Sequence, residues 1–166
     1  MKSTIYNMTE GRLSPDAKTF LMMENEVLRF QIFQNNVLNQ EVVLKAGYEF
    51  ISGKFFRQDI PTYDETDYAI NHIEDQLMTH KSRIQNSRIL YTSDEALKNV
   101  FRKNDLNENL YSRESIEKLF SSYARVIMGA PVSELKAGIA QKDYAIVLVL
   151  REIMHHLDFE YLNFSN

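Results

Sequence analysis

Hydrophobic and polar positions alternate along the stretch that follows residue 27, which is the pattern of a β-strand. Leu28, Phe30 and Ile32 alternate with Arg29, Gln31 and Phe33, and a second run rich in β-branched and apolar residues covers 37–44. A period of two residues predicts two antiparallel strands joined through Asn35-Asn36, because asparagine tolerates left-handed backbone conformations. One long helix over 15–47 is disfavoured, since its apolar residues would scatter around the helix.

The pairing of these two strands can be predicted from their side chains. A three-residue loop of Gln34, Asn35 and Asn36 places Arg29 opposite Glu41 and apolar residues opposite each other. A two-residue loop would mix apolar and polar residues on one face of the sheet. We therefore predict the three-residue loop, because cross-strand pairs of like polarity and opposite charge stabilise a hairpin.

Two further segments of this part of the chain are assigned from local signals. Ser14-Pro15-Asp16 places a capping serine before a proline at the first helical position, which predicts a short helix that runs to about Asn25. Residues 48–56 follow Gly47 and are predicted to form a third strand or an irregular extended segment.

From residue 63 onward the apolar residues recur with the period of an α-helix. Helices are predicted over about 65–84, 94–103, 113–128, 133–138 and 143–157, with a short extended piece at 88–91. Ser112 and the Thr92–Glu95 segment supply N-terminal caps. The last helix is apolar on nearly all sides between Ala145 and Leu150, which is typical of a helix at the centre of a core.

These elements predict one α+β domain over residues 1–166. A small antiparallel sheet from the strand-rich part, 1–61, would pack on about five helices from the helical part, 62–166, because segregated strands and helices are typical of this class. An all-α bundle, with helix in place of the hairpin, is the alternative.

Composition excludes several kinds of function. The chain has no cysteine, so it lacks disulfides, thiolate metal sites and a cysteine nucleophile. Its five glycines are isolated, so no glycine-rich loop is present to bind phosphate, and no residue is predicted to bind a cofactor. A net charge of −4 with scattered basic residues argues against nucleic acid. No signal peptide or membrane-spanning run is present, so we expect a soluble, cytoplasmic protein without membrane contact.

All four histidines fall in two predicted helices that also carry acids at helical spacing. His72 and His80 are two turns apart, ~12 Å along the axis, so both cannot bind one ion. His80, Glu152 and His156 are therefore the candidate ligands of a zinc or iron ion, with Glu74 as a candidate catalytic base. The alternative is that these residues have ordinary structural roles, as histidines on apolar helix faces commonly do.

The C-terminal aromatic residues Phe159, Tyr161 and Phe164 form a candidate interface. With no catalytic signature to set against it, the leading prediction is a non-catalytic protein-interaction or regulatory domain that binds a protein partner or self-associates. A metal-dependent enzyme or metal-binding module is the second hypothesis, and weak nucleic-acid binding is the third. Whether the chain is an enzyme stays open at this stage.

Overall fold

The computed structural model describes residues 17–84 and 87–165 and confirms the α+β class. The described elements, in chain order, are β1 (Ala17–Met23), β2 (Leu28–Gln34), β3 (Val37–Leu44), α1 (Tyr48–Phe55), α2 (Tyr63–His80), β4 (Ile89–Thr92), α3 (Glu95–Lys103), β5 (Leu110–Ser112), α4 (Arg113–Ile127), a short 3-10 helix (Val132–Glu134), α5 (Gln141–His156) and β6 (Tyr161–Phe164). The alternative of an all-α bundle is therefore wrong.

The strands form one mixed sheet in the order β3-β2-β1-β4-β6-β5. The β1–β2, β2–β3 and β5–β6 pairs are antiparallel, while β4 runs parallel to both β1 and β6. The sheet is therefore larger than the predicted N-terminal hairpin sheet, and it takes strands from both sides of residue 61. The carboxyl ends of β1, β4 and β6 lie along one edge of the sheet, which we call the carboxyl edge.

The β2–β3 hairpin has a two-residue turn, so the predicted three-residue loop is wrong. Asn35 and Asn36 both have positive φ, at 50° and 64°, as two-residue hairpin turns of the type I′ class require. The register then shifts between Ile32 and Phe33, which leaves one extra residue, Asn39, on β3.

This bulge resolves the conflict between the two registers that the sequence offered. Beyond it, Phe30 faces Val42 and Leu28 faces Leu44, and all four side chains are buried. A tight turn and matched apolar pairs are therefore both satisfied because one residue is unpaired. The favourable contact between Arg29 and Glu41 survives as a diagonal pair, with Nη1 2.6 Å from Oε1.

The predicted helix that ends near Asn25 is instead strand β1, and its predicted start at 14–16 lies outside the described residues. The side chains at positions 17, 19, 21 and 23 are buried, whereas those between them are exposed or half-buried. β1 pairs with β2 on one side and β4 on the other, so it is an internal strand of the sheet. These long-range backbone hydrogen bonds outweigh the local helix-start signal.

The segment 48–56, predicted to be extended, forms helix α1. The backbone of Gly47 lies so close to the β1–β2 turn that a Cβ atom there would clash with the Asn25 carbonyl oxygen. That oxygen accepts hydrogen bonds from the backbone N–H groups of Glu49 and Phe50. The turn therefore starts the helix, which is an interaction that no local sequence pattern reports.

The predicted helices from residue 63 onward are confirmed in place, although the short one near 133 is only a 3-10 turn. Helix α5 lies at their centre and packs against α1, α2, α3 and α4. Its residues 144–150 are all buried, and they share one hydrophobic core with the inward face of the sheet. In the described ranges, no helix is both long and apolar enough to cross a membrane.

The hairpin turn gives a stability prediction. We expect Asn36→Ala to lower the free energy of unfolding by about 1 kcal/mol, because a left-handed conformation is costly for a residue with a Cβ that lacks asparagine's local hydrogen bonds. Asn36→Gly should leave it unchanged or raise it, since glycine adopts positive φ freely. Urea denaturation of both variants measures the difference. Equal losses would show that the asparagine side chain, and not its backbone conformation, stabilises the turn.

Candidate functional site

Glu152 is a fully buried acid on the central helix. Its Oε1 accepts a hydrogen bond from Arg151 Nη1 at 2.6 Å, and its Oε2 lies 2.9 Å from His156 Nε2. Burying a carboxylate is costly unless it is paired and hydrogen-bonded, and both oxygens of Glu152 meet that requirement. The i, i+4 spacing on α5 therefore brings Glu152 and His156 together, as the sequence predicted.

The cluster extends to two neighbouring helices. Arg151 also donates to Glu117 of α4 at 2.9 Å, and His156 Nε2 lies 4.0 Å from Glu74 Oε2 of α2. Acids from three helices thus surround one guanidinium and one imidazole. This arrangement joins α2, α4 and α5 by ionic contacts at the C-terminal end of α5.

The predicted metal set is not assembled. His80, one of its three ligands, is 2.9 Å from the backbone oxygen of Gln76 through Nδ1, on its own helix. One oxygen of Glu152 is taken by Arg151, whose positive charge opposes a metal ion beside it. Across 17–84 and 87–165, no group of three or more His, Cys, Asp or Glu side chains is placed to hold a metal ion. The contacts described above account for Glu152, His156 and Glu74 without zinc or iron.

The other two histidines also lie apart from this cluster or at its margin. His72 Nε2 is 2.8 Å from the Lys45 carbonyl oxygen, and its ring lies between Phe50 and Phe55 at centroid distances of 5.3 and 5.5 Å. His155 is exposed, and its ring lies edge-on to the ring of His156.

The predicted aromatic interface is corrected by the fold. Phe159 and Phe164 are 0% and 5% exposed, because the C-terminal segment forms strand β6 inside the sheet. Tyr161 points to the opposite face of the sheet, where it is half-buried beneath the Arg88 guanidinium. Two of the three residues are therefore core residues and are not available to a partner.

Asp94 joins three elements at the carboxyl edge. Its Oδ2 accepts the backbone N–H of Met23 at the end of β1, and its Oδ1 accepts that of Leu97 in the first turn of α3. Thr92 donates its hydroxyl to the Leu21 carbonyl and accepts the Asp94 N–H. These hydrogen bonds hold the ends of β1 and β4 together. Both carboxylate oxygens of Asp94 are used in structural hydrogen bonds.

The remaining acids at this edge differ in their pairing. Glu24 pairs with Arg29 at 3.2 Å, and Glu49 pairs with Lys142 at 2.8 Å. Glu26, in the exposed turn between β1 and β2, has no side-chain partner among the residues that the structure describes. Glu26 is therefore an acid at this edge whose carboxylate is not held in an ion pair with any described residue.

A buried tyrosine is excluded as a nucleophile. Tyr144 is fully buried on α5, and its hydroxyl lies 3.1 Å from that of Thr66. Burial raises the pKa of Tyr144 to about 12, against a partly opposing effect of the Thr66 hydrogen bond. The hydroxyl stays protonated near neutral pH and serves the packing of the core.

Two clefts lie on the surface near α3. The larger, about 370 Å³, is bounded by α4 and the 3-10 turn and contains Lys118 and Lys136. The smaller, about 240 Å³, lies between α3 and the loop that follows it, beside Phe164 at the carboxyl end of β6. Ligands of open α/β sheets bind outside the carboxyl ends of strands, which makes the smaller cleft the better-placed one.

Comparison with known proteins identifies the architecture. No family model and no curated protein matches the chain. Solved structures do: a Ppx/GppA phosphatase of Aquifex aeolicus, described as the type II variant, aligns with a TM-score of 0.71 at 10% identity over 91% of this chain and 53% of its own. An exopolyphosphatase of Cytophaga hutchinsonii aligns with a TM-score of 0.65 at 14% identity over 90% and 53%.

The chain has the fold of a Ppx/GppA lobe. It spans about half the length of these solved neighbours. The proteins that share this fold are enzymes by name, so the prediction of a non-catalytic interaction domain is wrong. That prediction depended on missing motifs and on three terminal aromatic residues, two of which are buried.

The candidate residues at the carboxyl edge were not predicted from the sequence. No sequence pattern marks Glu26 as a candidate. The turn that contains Glu26 lies at the end of a strand only once β1 is known to be a strand. Arg102 is one of the scattered basic residues of the sequence and is followed directly by Lys103. The spacing of Lys98 and Arg102, one helical turn apart, was the available signal for a basic face on α3.

The ionic cluster around Glu152 gives the second stability prediction. We expect Glu152→Ala to lower the free energy of unfolding by about 3 kcal/mol, because it leaves Arg151 and His156 without their buried partner. Glu160→Ala is the control: its pair with Arg88 at 2.7 Å is exposed, so its loss should stay below about 1 kcal/mol. Chemical denaturation measures both.

Chelator treatment separates this account from the metal hypothesis. The melting temperature of the untreated protein should not change with chelator or with added zinc, because the ionic contacts need no metal. A melting temperature that falls with chelator, or similar losses for the two glutamate variants, would contradict the ionic account.

Proposed function

We propose that this chain is a phosphatase lobe that acts on phosphoanhydride compounds such as inorganic polyphosphate. The single observation that carries the proposal is the shared backbone arrangement, with TM-scores of 0.65 to 0.71 to an exopolyphosphatase and a Ppx/GppA phosphatase over about nine-tenths of this chain. At 10–14% identity this likeness supports the fold alone. The residues proposed to carry out the activity lie at the carboxyl edge of the sheet.

Phosphoryl transfer needs a positioned water and stabilisation of negative charge more than covalent chemistry by the protein. Within the described part of the chain, Glu26 is an unpaired carboxylate in the turn that follows β1, and it is assigned the role of the base. In the proposed step, Glu26 takes a proton from a water that attacks the terminal phosphorus. The bridging P–O bond breaks, orthophosphate is released, and the shortened chain keeps the bridging oxygen.

The helix N-termini at this edge do not supply the charge stabilisation. The first N–H groups of α1 are bonded to Asn25 oxygen, and Asp94 caps α3. Side-chain cations are therefore assigned that role in the proposal. A cytoplasmic location remains part of the proposal and is supported by the absence of cysteine.

The experiment measures orthophosphate released from inorganic polyphosphate by the purified chain in a magnesium-containing buffer, since magnesium is a counter-ion of polyphosphate in solution. We expect release above the protein-free control. Glu26→Gln should lower the rate by about 10²-fold or more, which is the typical contribution of a general base. Glu160→Gln, beside the amino end of β6, should leave the rate unchanged.

Two outcomes would contradict the proposal. If a folded sample releases no orthophosphate even at high protein concentration, the chain lacks the proposed activity. If Glu26→Gln and Glu160→Gln change the rate of orthophosphate release equally, neither Glu26 nor the carboxyl edge takes part in the reaction. Circular dichroism of each variant confirms that the fold is retained.

A further inference from the structure

The smaller of the two clefts, which we call the α3 cleft, has an apolar floor and a polar rim. Phe101 and Phe164 form part of the floor, with ring centroids 5.0 Å apart, and both are almost fully buried. Lys98 and Arg102 of α3 stand on one side of the rim, and residues 107–109 of the following loop stand on the other. Two cations and two asparagine amides thus face a space beside the end of β6.

Lys98 is a half-buried cation without a compensating charge. Neither an acid nor a carbonyl lies within ion-pair or hydrogen-bond distance of its amine in the part of the chain that the structure describes. Arg102 is only loosely held, with Nη1 3.3 Å from Asn99 and 3.9 Å from Glu95. A partly desolvated positive charge is stabilised by an anion, so the free binding capacity here is for a negative group.

The neighbouring, larger cleft differs from the α3 cleft in the ion pairing of its lysines. Its lysines are already neutralised: Lys118 pairs with Glu114 at 3.3 Å and Lys136 pairs with Asp105 at 2.6 Å. An anion there would have to compete with these carboxylates. The unpaired amine of Lys98 therefore distinguishes the α3 cleft, although that cleft is the smaller one.

Size and charge narrow the class of ligand. A volume of about 240 Å³ is below the range of 300–1,000 Å³ for pockets that enclose drug-sized ligands. Glu108 is the one acid in the lining, so the rim carries a net charge of one positive unit. A small, multiply charged oxyanion fits this space, and its binding should weaken as salt is added.

We propose that the α3 cleft binds a phosphate group of a phosphate chain through Lys98 and Arg102. The choice of phosphate among oxyanions rests on the proposed function, whereas the anion site itself rests on the unpaired lysine. The asparagine amides at 107 and 109 supply further donors from the opposite rim. The site holds the chain next to the carboxyl edge, where Glu26 is assigned to act.

Calorimetric titration of the full chain with inorganic tripolyphosphate at low salt tests the site. Lys98→Met should weaken binding about tenfold, as the loss of one charge-assisted contact predicts, and Arg102→Met should also weaken it. Lys118→Met and Lys136→Met are matched controls from the neighbouring cleft and should bind as the unchanged chain does. Circular dichroism confirms that each variant is folded.

The outcomes separate this site from the proposed activity. Absent binding at low salt, or equal loss in the Lys98 and Lys136 variants, overturns the site. Binding that depends on Lys98 in a chain that releases no orthophosphate keeps the anion site while the proposed function fails. If the chain releases orthophosphate but Lys98→Met binds tripolyphosphate as the unchanged chain does, the proposed function stands and the anion site at Lys98 is wrong. Sulfate that binds as tightly as tripolyphosphate overturns the assignment to a phosphate chain.

Discussion

The complete burial of helix α5 is the constraint on which the rest of the structure depends. Residues 144–150 are apolar on every side of the helix, and all are buried. Such a helix has no face for water, so the four other helices must surround it and share its core with the sheet. Its polar residues are stabilised by partners on other helices: Asp143 pairs with Lys103 of α3, and Arg151 pairs with Glu117 of α4.

The second constraint acts at the carboxyl edge of the sheet. There the β1–β2 turn closes the N-terminus of α1, and Asp94 closes that of α3. In many phosphate-binding proteins such helix ends hold the anion through backbone N–H groups. Here those N–H groups already have protein partners. Side chains would therefore have to make any contact with phosphate. Lys98 and Glu26 are side chains near this edge that have no ion-pair partner among the described residues.

No local motif in the sequence pointed to a fold that is shared with enzymes. Isolated glycines and the lack of a catalytic signature favoured an interaction domain, yet the solved proteins with this fold are enzymes. The prediction from missing motifs was wrong because a fold that is shared with enzymes need not be marked by a local sequence signature. The residues proposed for function also lie far apart in sequence, at 26, 98 and 102.

The sequence by itself determined the elements whose information is local. Strands β2 and β3, helices α2 to α5, the Ser112 cap and the pairing of Glu152 with His156 follow from periodicity and short spacings. Only the tertiary structure decided β1, α1, the bulge at Asn39 and the short strands β5 and β6. The bulge lies within a hairpin, where it reconciles the tight turn with matched apolar pairs. Strands β1, β5 and β6 and helix α1 depend on backbone hydrogen bonds with residues distant in sequence, which no local pattern reveals. The burial of Phe159 and the cleft around Lys98 have the same origin, since each exists only once β6 has joined the sheet.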